Sequence, residues 1–337
     1  MLYFSAMSTK ITAERLIAEI SSVIRGKPSE LERFVTAFLS GGHILLEDVP
    51  GLGKTTLAKT LSRIVGTGTT KNPHPVNFKR IQFTPDLLPY DITGVDVFNP
   101  EKHTFEFMPG PVFCDILLAD EINRTTPKVQ SALLEVMAEH QVSSGGITRP
   151  VSPLFFVVAT QNPVETEGTY PLPAAQLDRF MMRLSLGYPD EDAERTILHD
   201  DPSETILPSL QPGVTDEDIF ASRKEQKTVY CHPALEQAIV SLVRKTRKHP
   251  AVKLGVSPRG ALQLLHAGRT LALIRGRTWL QDDDIADLAG PLLAHRIIPR
   301  DNRTGTAEII KEVTGSVLEK MSRITDWTQD ATHEEIV

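Results

Sequence analysis

A glycine-rich segment between an apolar run and a helical pattern contains the first residues whose types and spacing could do chemistry. Residues 44–46 have the composition of a buried parallel strand, and the pattern after Thr56 has helical spacing. A strand, a glycine loop, Lys-Thr and a helix follow one another as a phosphate-binding loop requires. The sequence therefore predicts a nucleotide site made by Asp48, Val49, Pro50, Gly51, Leu52, Gly53, Lys54, Thr55 and Thr56.

The residue types in this loop suggest how a nucleotide would be held. Glycine has no side chain, so backbone N–H groups near Gly51 and Gly53 can close around a phosphate. The Lys54 ammonium suits the β- and γ-phosphates of a nucleotide, and the Thr55 hydroxyl suits Mg²⁺. Asp48 stands where the general pattern has its first glycine. On this segment alone, a glycine-rich turn that binds nothing stays open as the alternative.

Polar side chains also follow two later apolar runs. Residues 114–119 read as a buried strand that ends in Asp120 and Glu121. Asp120 can hold the Mg²⁺ that Thr55 contacts, and Glu121 can polarise a water for attack on the γ-phosphate. Asn162 comes shortly after another apolar run, where its amide could hold that water or sense the γ-phosphate. A turn residue before proline is the alternative for Asn162.

Composition limits the other classes of function. The chain has 337 residues, 40% of them hydrophobic and 23% charged, which is ordinary for a globular protein of two domains. Its net charge of −7 argues against bulk affinity for nucleic acid, though not against a local basic patch. No run approaches the roughly 20 apolar residues of a membrane span and no signal peptide is apparent, so we expect a cytoplasmic protein. The two cysteines lie far apart and are expected to be buried thiols.

The apolar patterns change character near residue 189. Residues 11–188 alternate strand-like and helix-like patterns, which predicts an α/β nucleotide-binding domain with a parallel sheet between helices. Residues 189–330 show helical spacing without a convincing strand, which predicts an all-α second domain. Its helices are expected at residues 232–246, 257–275, 281–297 and 306–321. Residues 1–6 are left out of this division because Met7 is a reasonable native start.

Several connecting segments carry predictions of their own. Residues 95–108 and 141–151 alternate around polar or glycine-containing tips, so both are predicted hairpins, and the first could project from the core. Residues 66–75 read as a polar turn region. Residues 23–27 link two helices near the glycine loop and are either a surface for an adenine ring or a plain connector.

The chain resembles the MoxR-type AAA+ ATPases over nearly all of residues 11–300. Six motifs carry the resemblance: LEDVPGLGKT, RIQFTPDLLP, ADEINR, ATQNP, LDRF and SPR, which begin at Leu46, Arg80, Ala119, Ala159, Leu177 and Ser257. One departure is Ala174, where the family commonly has glutamate. This departure weakens any inference about the polarity of a subunit interface at that position.

The resemblance implies a role for each matching residue at the nucleotide. Residues 48–56 would form the Walker A loop, and Asp120 with Glu121 would form the Walker B pair. Thr55 and Asp120 would hold Mg²⁺. Glu121 would act in catalysis, together with Asn162 as sensor 1. The ligands implied are ATP and Mg²⁺.

Two arginines elsewhere in the chain also match family motifs. Arg179 matches the arginine finger, which acts on the nucleotide of the next subunit in a ring. Arg259 matches sensor 2 on the helical domain. An insert ahead of it, around residues 200–230, leaves open whether Arg259 serves its own subunit or a neighbour. The hairpins at 95–108 and 141–151 would be the helix-2 insert and the pre-sensor hairpin.

The resemblance also implies a biological class. Family members hydrolyse ATP as homo-oligomeric rings, usually hexamers, and often act as chaperone-like partners of proteins with a von Willebrand factor A domain, in cofactor or metal loading. Three alternatives are a nucleic-acid motor or transcription regulator, a metal-chelatase motor subunit, and a small-molecule kinase. The basic cluster at 244–253 is the only support for the first. The series Asn162, Arg179 and Arg259 argues against the last.

Overall fold

The computed structural model describes residues 8–69, 72–164, 168–301 and 304–321, so the excluded residues 1–6 and the end of the second domain lie outside the described part. Its α-helices are α1 Thr9–Val23, α2 Pro28–Leu39, α3 Lys54–Ile64, α4 Pro89–Thr93, α5 Pro127–Glu139, α6 Ala174–Leu177, α7 Glu191–Asp200, α8 Pro202–Thr205, α9 Asp216–Glu225, α10 Pro233–Lys248, α11 Pro258–Ile274, α12 Asp282–Leu293 and α13 Thr306–Leu318. Its strands are β1 Ile44–Glu47, β2 Val65–Thr69, β3 Asn72–Pro75, β4 Phe78–Gln82, β5 Gly94–Asn99, β6 Thr104–Pro109, β7 Ile116–Asp120, β8 Gln141–Ser144, β9 Ile147–Pro150, β10 Phe156–Gln161, β11 Met182–Leu184, β12 Val214–Thr215, β13 Val252–Leu254 and β14 Ile298–Pro299.

A five-stranded parallel sheet lies at the centre of the α/β part, in the order β11-β1-β10-β7-β4. The three inner strands are almost wholly buried because their two faces serve different cores. Leu46 packs into a core shared with α1, α2 and α3, whereas its neighbour Leu45 packs into a second core with residues of α5. The predicted parallel sheet between helices is confirmed.

The part of the chain after residue 190 is mainly helical, as predicted, and α10 to α13 lie close to the expected ranges. Two short strand pairs occur there that the sequence pattern does not predict. β12 pairs in parallel with β2, and β13 pairs antiparallel with β14. Strands of two or three residues are too short to leave an alternating pattern. None of the helices in the described ranges is long and apolar enough to cross a membrane.

The polar turn region predicted at residues 66–75 is wrong. There, β2 and β3 pair antiparallel, and residues 70–71 between them lie outside the described residues. The segment is rich in glycine and proline and lacks the alternation of a half-buried strand. Its pairing therefore depends on contacts made by the fold, including the parallel pairing of β2 with β12.

Both predicted hairpins are confirmed, β5 with β6 and β8 with β9, and each is a separate two-stranded sheet. A polar and aromatic contact joins them. Arg149 on β9 forms an ion pair with Asp96 on β5 at 3.4 Å, and its guanidinium lies 3.9 Å from the ring centre of Phe107 on β6. Ser144 Oγ also donates to Asp96 at 2.7 Å. The two hairpins thus form one connected surface feature.

Cys114 and Cys231 are buried and free, as predicted. Burial raises the pKa of each thiol to about 12, and a nearby carboxylate adds to the shift in each case, Asp115 for the first and Glu236 for the second. Both thiols are therefore protonated at neutral pH and inert as nucleophiles.

His43, just before β1, is held in its neutral form. The Val157 amide donates to His43 Nδ1 at 3.0 Å, and Nε2 lies 3.3 Å from the Met137 carbonyl oxygen. Because Nδ1 accepts a hydrogen bond, the single ring proton is on Nε2, which donates to that carbonyl. Burial, with a smaller contribution from His140, lowers the pKa of His43 to about 3.

This burial predicts a specific acid sensitivity. The folded-state pKa of His43 lies below the unfolded value of 6.5, so the unfolded chain binds the proton first and stability is lost as pH falls below 6.5. The loss should approach about 1.4 kcal/mol per pH unit. We expect the free energy of unfolding to fall less steeply with acid for His43→Gln than for the wild type. Exposed His140 gives a control, since His140→Gln should change the slope less; equal slopes for the wild type and His43→Gln would contradict the assignment.

Candidate active site

The loop after β1 forms one wall of a cavity of about 420 Å³, a volume typical of small-molecule sites. Gly51 and Gly53 have φ of 87° and 82°, a region that residues with side chains rarely adopt. α3 begins immediately after Gly53, so its first N–H groups and the positive end of its dipole lie at the cavity. This arrangement is suited to binding an anionic group such as phosphate.

The ends of the inner strands supply the opposite wall. Asp120 and Glu121 at the end of β7, and Thr160 and Asn162 at the end of β10, all line the cavity. Parallel strands that are neighbours in a sheet bring their carboxyl ends to one edge, which explains why residues so distant in sequence meet here. The predicted loop residues Pro50, Gly51, Leu52, Gly53, Lys54, Thr55 and Thr56 line the same cavity.

Asp48 and Val49 are placed differently from the rest of the predicted loop, since neither is among the lining residues. The Asp48 carboxylate accepts hydrogen bonds from Ser185 Oγ at 2.6 Å and from the amides of Leu186 and Gly187 at 2.7 and 3.1 Å. It therefore fastens the start of the loop to the segment after β11. This contact gives a reason for an acidic residue where the general pattern has glycine.

Lys54 is directed along its own loop. Its ammonium donates to the Asp48 carbonyl oxygen and, at 3.2 Å, to the Val49 carbonyl oxygen. These two acceptors are neutral carbonyl groups, and Lys54 also lines the cavity. A phosphate in the cavity would meet the charge of its ammonium.

Thr160 organises the two acidic residues. Its hydroxyl donates to Asp120 Oδ1 at 2.6 Å and accepts from the Glu121 amide at 2.9 Å. The other Asp120 oxygen, Oδ2, accepts from Arg80 Nη2 on β4 at 2.7 Å. One hydroxyl on β10 thus fixes the positions of both the side chain of Asp120 and the backbone of Glu121.

Glu121 has an unusual backbone and two polar partners. Its φ is 57°, in the left-handed region, which costs a non-glycine residue roughly 1–3 kcal/mol and is retained where the surroundings hold it. Glu121 Oε2 accepts from Gln82 Nε2 at 2.8 Å and pairs with Arg124 Nε at 2.9 Å. Its carboxylate is therefore held at the cavity edge in a defined orientation.

The residues at the loop and strand ends fit a nucleotide-bound Mg²⁺. Thr55 supplies a hydroxyl oxygen and Asp120 a carboxylate oxygen, and both line the cavity. Mg²⁺ prefers oxygen ligands and commonly takes one or two from the protein, with the rest from water and phosphate. These two residues are the ones that would hold the ion.

Four of the residues at 23–27 also line the cavity. Val23, Ile24, Arg25 and Lys27 are all among the lining residues. The apolar pair Val23 and Ile24 gives the lining a surface on which a flat ring could pack. The linker is therefore part of the site, which favours the adenine alternative over a plain connector.

Arg179 and Arg259 are not among the residues that line this cavity. Arg179 is partly buried, and its Nη1 donates to the Leu134 carbonyl oxygen at 2.9 Å. Arg259 is exposed in the first turn of α11. The structure thus places Asn162 at the cavity and leaves both arginines away from it.

Sequence reasoning did not single out Arg80, Gln82, Thr160 or Arg124, which hold the two acidic side chains. The sequence did contain a signal for Arg80 and Gln82. They are two positions apart on β4, so they share a face, and Gln82 is paired in register with Asp120. Recognising it required knowing that β4 is the neighbour of β7. That neighbour relation is a property of the fold and not of local sequence.

Comparison with known proteins agrees with this geometry. The family model described as "ATPase family associated with various cellular activities (AAA)" matches residues 43–182, and the model described as "AAA lid domain" matches residues 244–313.

Proteins similar to the chain along most of its length carry related names. The chain is 45% identical to Uncharacterized protein YeaC of Bacillus subtilis over 84% of the chain and 86% of that protein. It is 41% identical to Chaperone MoxR1 of Mycobacterium tuberculosis, over 85% of the chain and 76% of that protein. The crystal structure of a protein assigned as an ATPase from Cytophaga hutchinsonii superposes with a TM-score of 0.81 at 38% identity, covering 90% of this chain and 94% of that one.

The contacts of Lys54 and Glu121 predict different defects for their variants. Glu121→Gln keeps the shape of the side chain and should leave ATP binding intact, while turnover should fall by about 10²–10⁴-fold because the carboxylate predicted to act as the base is lost. Lys54→Ala should lose the ATP-dependent stabilisation itself, about 2.7 kcal/mol at a hundredfold excess over Kd. Binding of a fluorescent ATP analogue and phosphate release would be measured for each.

The same substitution at an exposed position provides the control for Glu121→Gln. Glu139→Gln at the end of α5 should change neither binding nor turnover. If Glu121→Gln lost ATP affinity as severely as Lys54→Ala, the roles assigned to the two residues would be wrong.

Proposed function

The chain belongs to the MoxR-type AAA+ ATPases, and we propose that it hydrolyses ATP to drive chaperone-like remodelling, or cofactor or metal loading, of a partner protein. The observation that carries the proposal is the convergence of the glycine loop, Lys54, Thr55, Asp120 and Glu121 on one cavity. These are the groups that phosphate binding and phosphoryl transfer to water require.

In the proposed reaction, the main task of the chain is to place charged and polar groups around the phosphates of ATP and the attacking water. Lys54 and the N–H groups at the start of α3 hold the phosphates. Thr55 and Asp120 would hold Mg²⁺, which would supply positive charge to the phosphate oxygens. Glu121 accepts a proton from the attacking water, and the Asn162 amide orients that water or senses the γ-phosphate. Asn162 Oδ1 already accepts from the Val164 amide at 3.1 Å, which supports a fixed amide orientation.

The proposal includes a homo-oligomeric, hexameric ring in which Arg179 acts on the neighbouring subunit. Its support is that Arg179 is partly exposed and is not among the residues lining its own cavity. A guanidinium can stabilise the charge that develops on a transferred phosphoryl group. Whether Arg259 acts within its own subunit or on a neighbour depends on how the ring places α11.

The hairpin of β5 and β6 is the proposed contact surface for the client, a protein with a von Willebrand factor A domain or another protein partner. Apolar side chains remain exposed on it, with Phe105 72% and Met108 59% accessible. Exposed apolar groups that cluster on a projecting feature favour a protein contact.

The nucleic-acid alternative depends on the basic cluster at 244–253. Two of its members take part in packing of the helical domain. Arg247 Nε donates to the Val256 carbonyl oxygen at 2.9 Å, and Lys245 Nζ donates to Ser316 Oγ at 2.9 Å. These contacts favour a structural role for the cluster. Strong stimulation of ATPase activity by DNA would support the alternative.

The proposed action of Arg179 in trans predicts complementation between inactive subunits. Arg179→Ala should bind ATP normally, because its own cavity is intact, and should lose turnover by about 10³–10⁵-fold. Rings that mix Arg179→Ala with Lys54→Ala subunits contain some intact cavities facing intact fingers, so part of the ATPase activity should return. Arg195→Ala, an exposed arginine on α7, is the control and should keep full turnover. No recovery in rings shown to contain both subunits would rule out action in trans.

The proposed client surface predicts that binding and hydrolysis can be separated. Phe105→Ser should weaken binding of a purified von Willebrand factor A domain protein while leaving basal ATPase activity unchanged, since Phe105 lies outside the cavity. Val240→Ser on α10, where the side chain is 46% exposed and lies on neither hairpin, is the control and should bind normally. Shortening residues 99–102 should act like Phe105→Ser; a collapse of basal hydrolysis would show that the hairpin is core structure.

A further inference from the structure

Arg296 is a buried arginine that contacts the residues immediately before and after Arg179 in the sequence. Its side chain is only 1% exposed, and its Nε forms an ion pair with Asp178 Oδ1 at 3.2 Å. Its Nη2 donates to the Phe180 carbonyl oxygen at 2.5 Å and also contacts the Asp178 carbonyl oxygen at 3.4 Å. The residues immediately before and after Arg179 are therefore bound by one guanidinium.

Arg296 is itself fixed within the helical domain. Nη1 donates to the Leu292 carbonyl oxygen at 3.0 Å, and Nη2 contacts Gln263 Oε1 on α11. Its neighbour His295 adds a second contact, since His295 Nε2 lies 3.2 Å from the Phe180 carbonyl oxygen. The helical domain thus holds residues 178–180 from more than one of its elements.

Asp178 also contacts the start of the helix that carries Arg259. Ser257 caps α11 by accepting from the Gly260 amide at 3.3 Å, and its hydroxyl lies 3.4 Å from both carboxylate oxygens of Asp178. Burial lowers the pKa of Arg296 to about 10, the Asp178 charge opposes this shift, and Arg259 adds to it. Arg259 follows Ser257 by two residues, so the contact of Asp178 with Ser257 joins Asp178 to the start of the helix that carries Arg259.

A buried ion pair is a weak source of stability, because desolvation offsets much of the attraction. The ion pair has a larger effect on geometry than on stability, because a guanidinium that makes several hydrogen bonds fixes the orientation of the groups it binds. In this protein, the bound segment carries Arg179 between its two anchored residues. The pair is thus better suited to positioning than to stabilising the fold.

We propose that Asp178 and Arg296 are positioning residues that hold the finger Arg179 and link its position to the helix carrying Arg259. This inference rests on the proposed function of Arg179 and deepens it. A rotation of the helical domain in one subunit moves residues 178–180, so the state of that domain is transmitted to the nucleotide of the next subunit.

The test measures binding and turnover separately in the full chain. Asp178→Asn removes the charge, and Arg296→Lys keeps the charge but loses the multiple bonds. Each should retain the Kd for a fluorescent ATP analogue and lower kcat by about 10²-fold, the cost of a misplaced reacting group. Arg277→Lys is the matched control, since Arg277 pairs with buried Asp284 at 2.6 Å in the same domain. It should lower the melting temperature and keep kcat.

Mixed rings provide a readout that a general loss of stability would not change. Asp178→Asn mixed with Lys54→Ala should regain part of the activity, whereas Asp178→Asn mixed with Arg179→Ala should not, because both lesions affect the finger. The inference would be overturned if Asp178→Asn and Arg296→Lys both had wild-type kcat, or if both lost ATP affinity. In either case, a loss of turnover in Arg179→Ala would still support the role of Arg179 as the finger. Normal turnover of Arg179→Ala would instead overturn the proposed function.

Discussion

The neighbouring positions of β1, β10 and β7 in one parallel sheet are the constraint on which the rest of the site depends. β1 leads into the glycine loop, β7 ends in Asp120, and β10 supplies Thr160. The register pairs Leu46 with Thr160 and Ala119 with Ala159, so the three strand ends lie level at one edge. A slip of one residue would turn the Thr160 hydroxyl to the other face of the sheet, away from the carboxylate it holds.

Local sequence predicts the parts of this site that are made by consecutive residues. The glycine loop and the Asp120–Glu121 pair follow from residue type and the apolar runs beside them, and the structure places them around one cavity. Local sequence does not predict which groups hold the two acidic side chains, since Arg80 and Arg124 reach them through pairings between distant or irregular segments. The hairpin of β2 and β3 was missed for a related reason: its pairing comes from the fold and not from strand propensity.

Asp48 is another residue whose role local sequence does not predict. Its position in the loop predicts contact with the nucleotide, yet its carboxylate is satisfied by donors from the segment after β11. A buried carboxylate needs such donors, because an unpaired one would carry a large desolvation cost. The amides of Leu186 and Gly187 are backbone groups, so no side-chain pattern in the sequence could have indicated them. The resemblance to a family identifies the loop, and only the structure shows which of its residues line the cavity and which hold the loop in place.

The ion pairs around the site differ in how far solvent reaches them. Arg80 is 47% exposed where it meets Asp120, whose own side chain is 12% exposed, so solvent reaches the arginine end of this pair. Arg124 is similarly accessible beside Glu121. Arg296, in contrast, is buried against Asp178, and removing one partner would leave an uncompensated charge. The contacts of Asp120 and Glu121 are therefore made by arginines that solvent reaches, whereas the contact beside Arg179 is made by a buried guanidinium. This division fits the proposed coupling, because residues 178–180 stay attached to the helical domain and follow it when it moves.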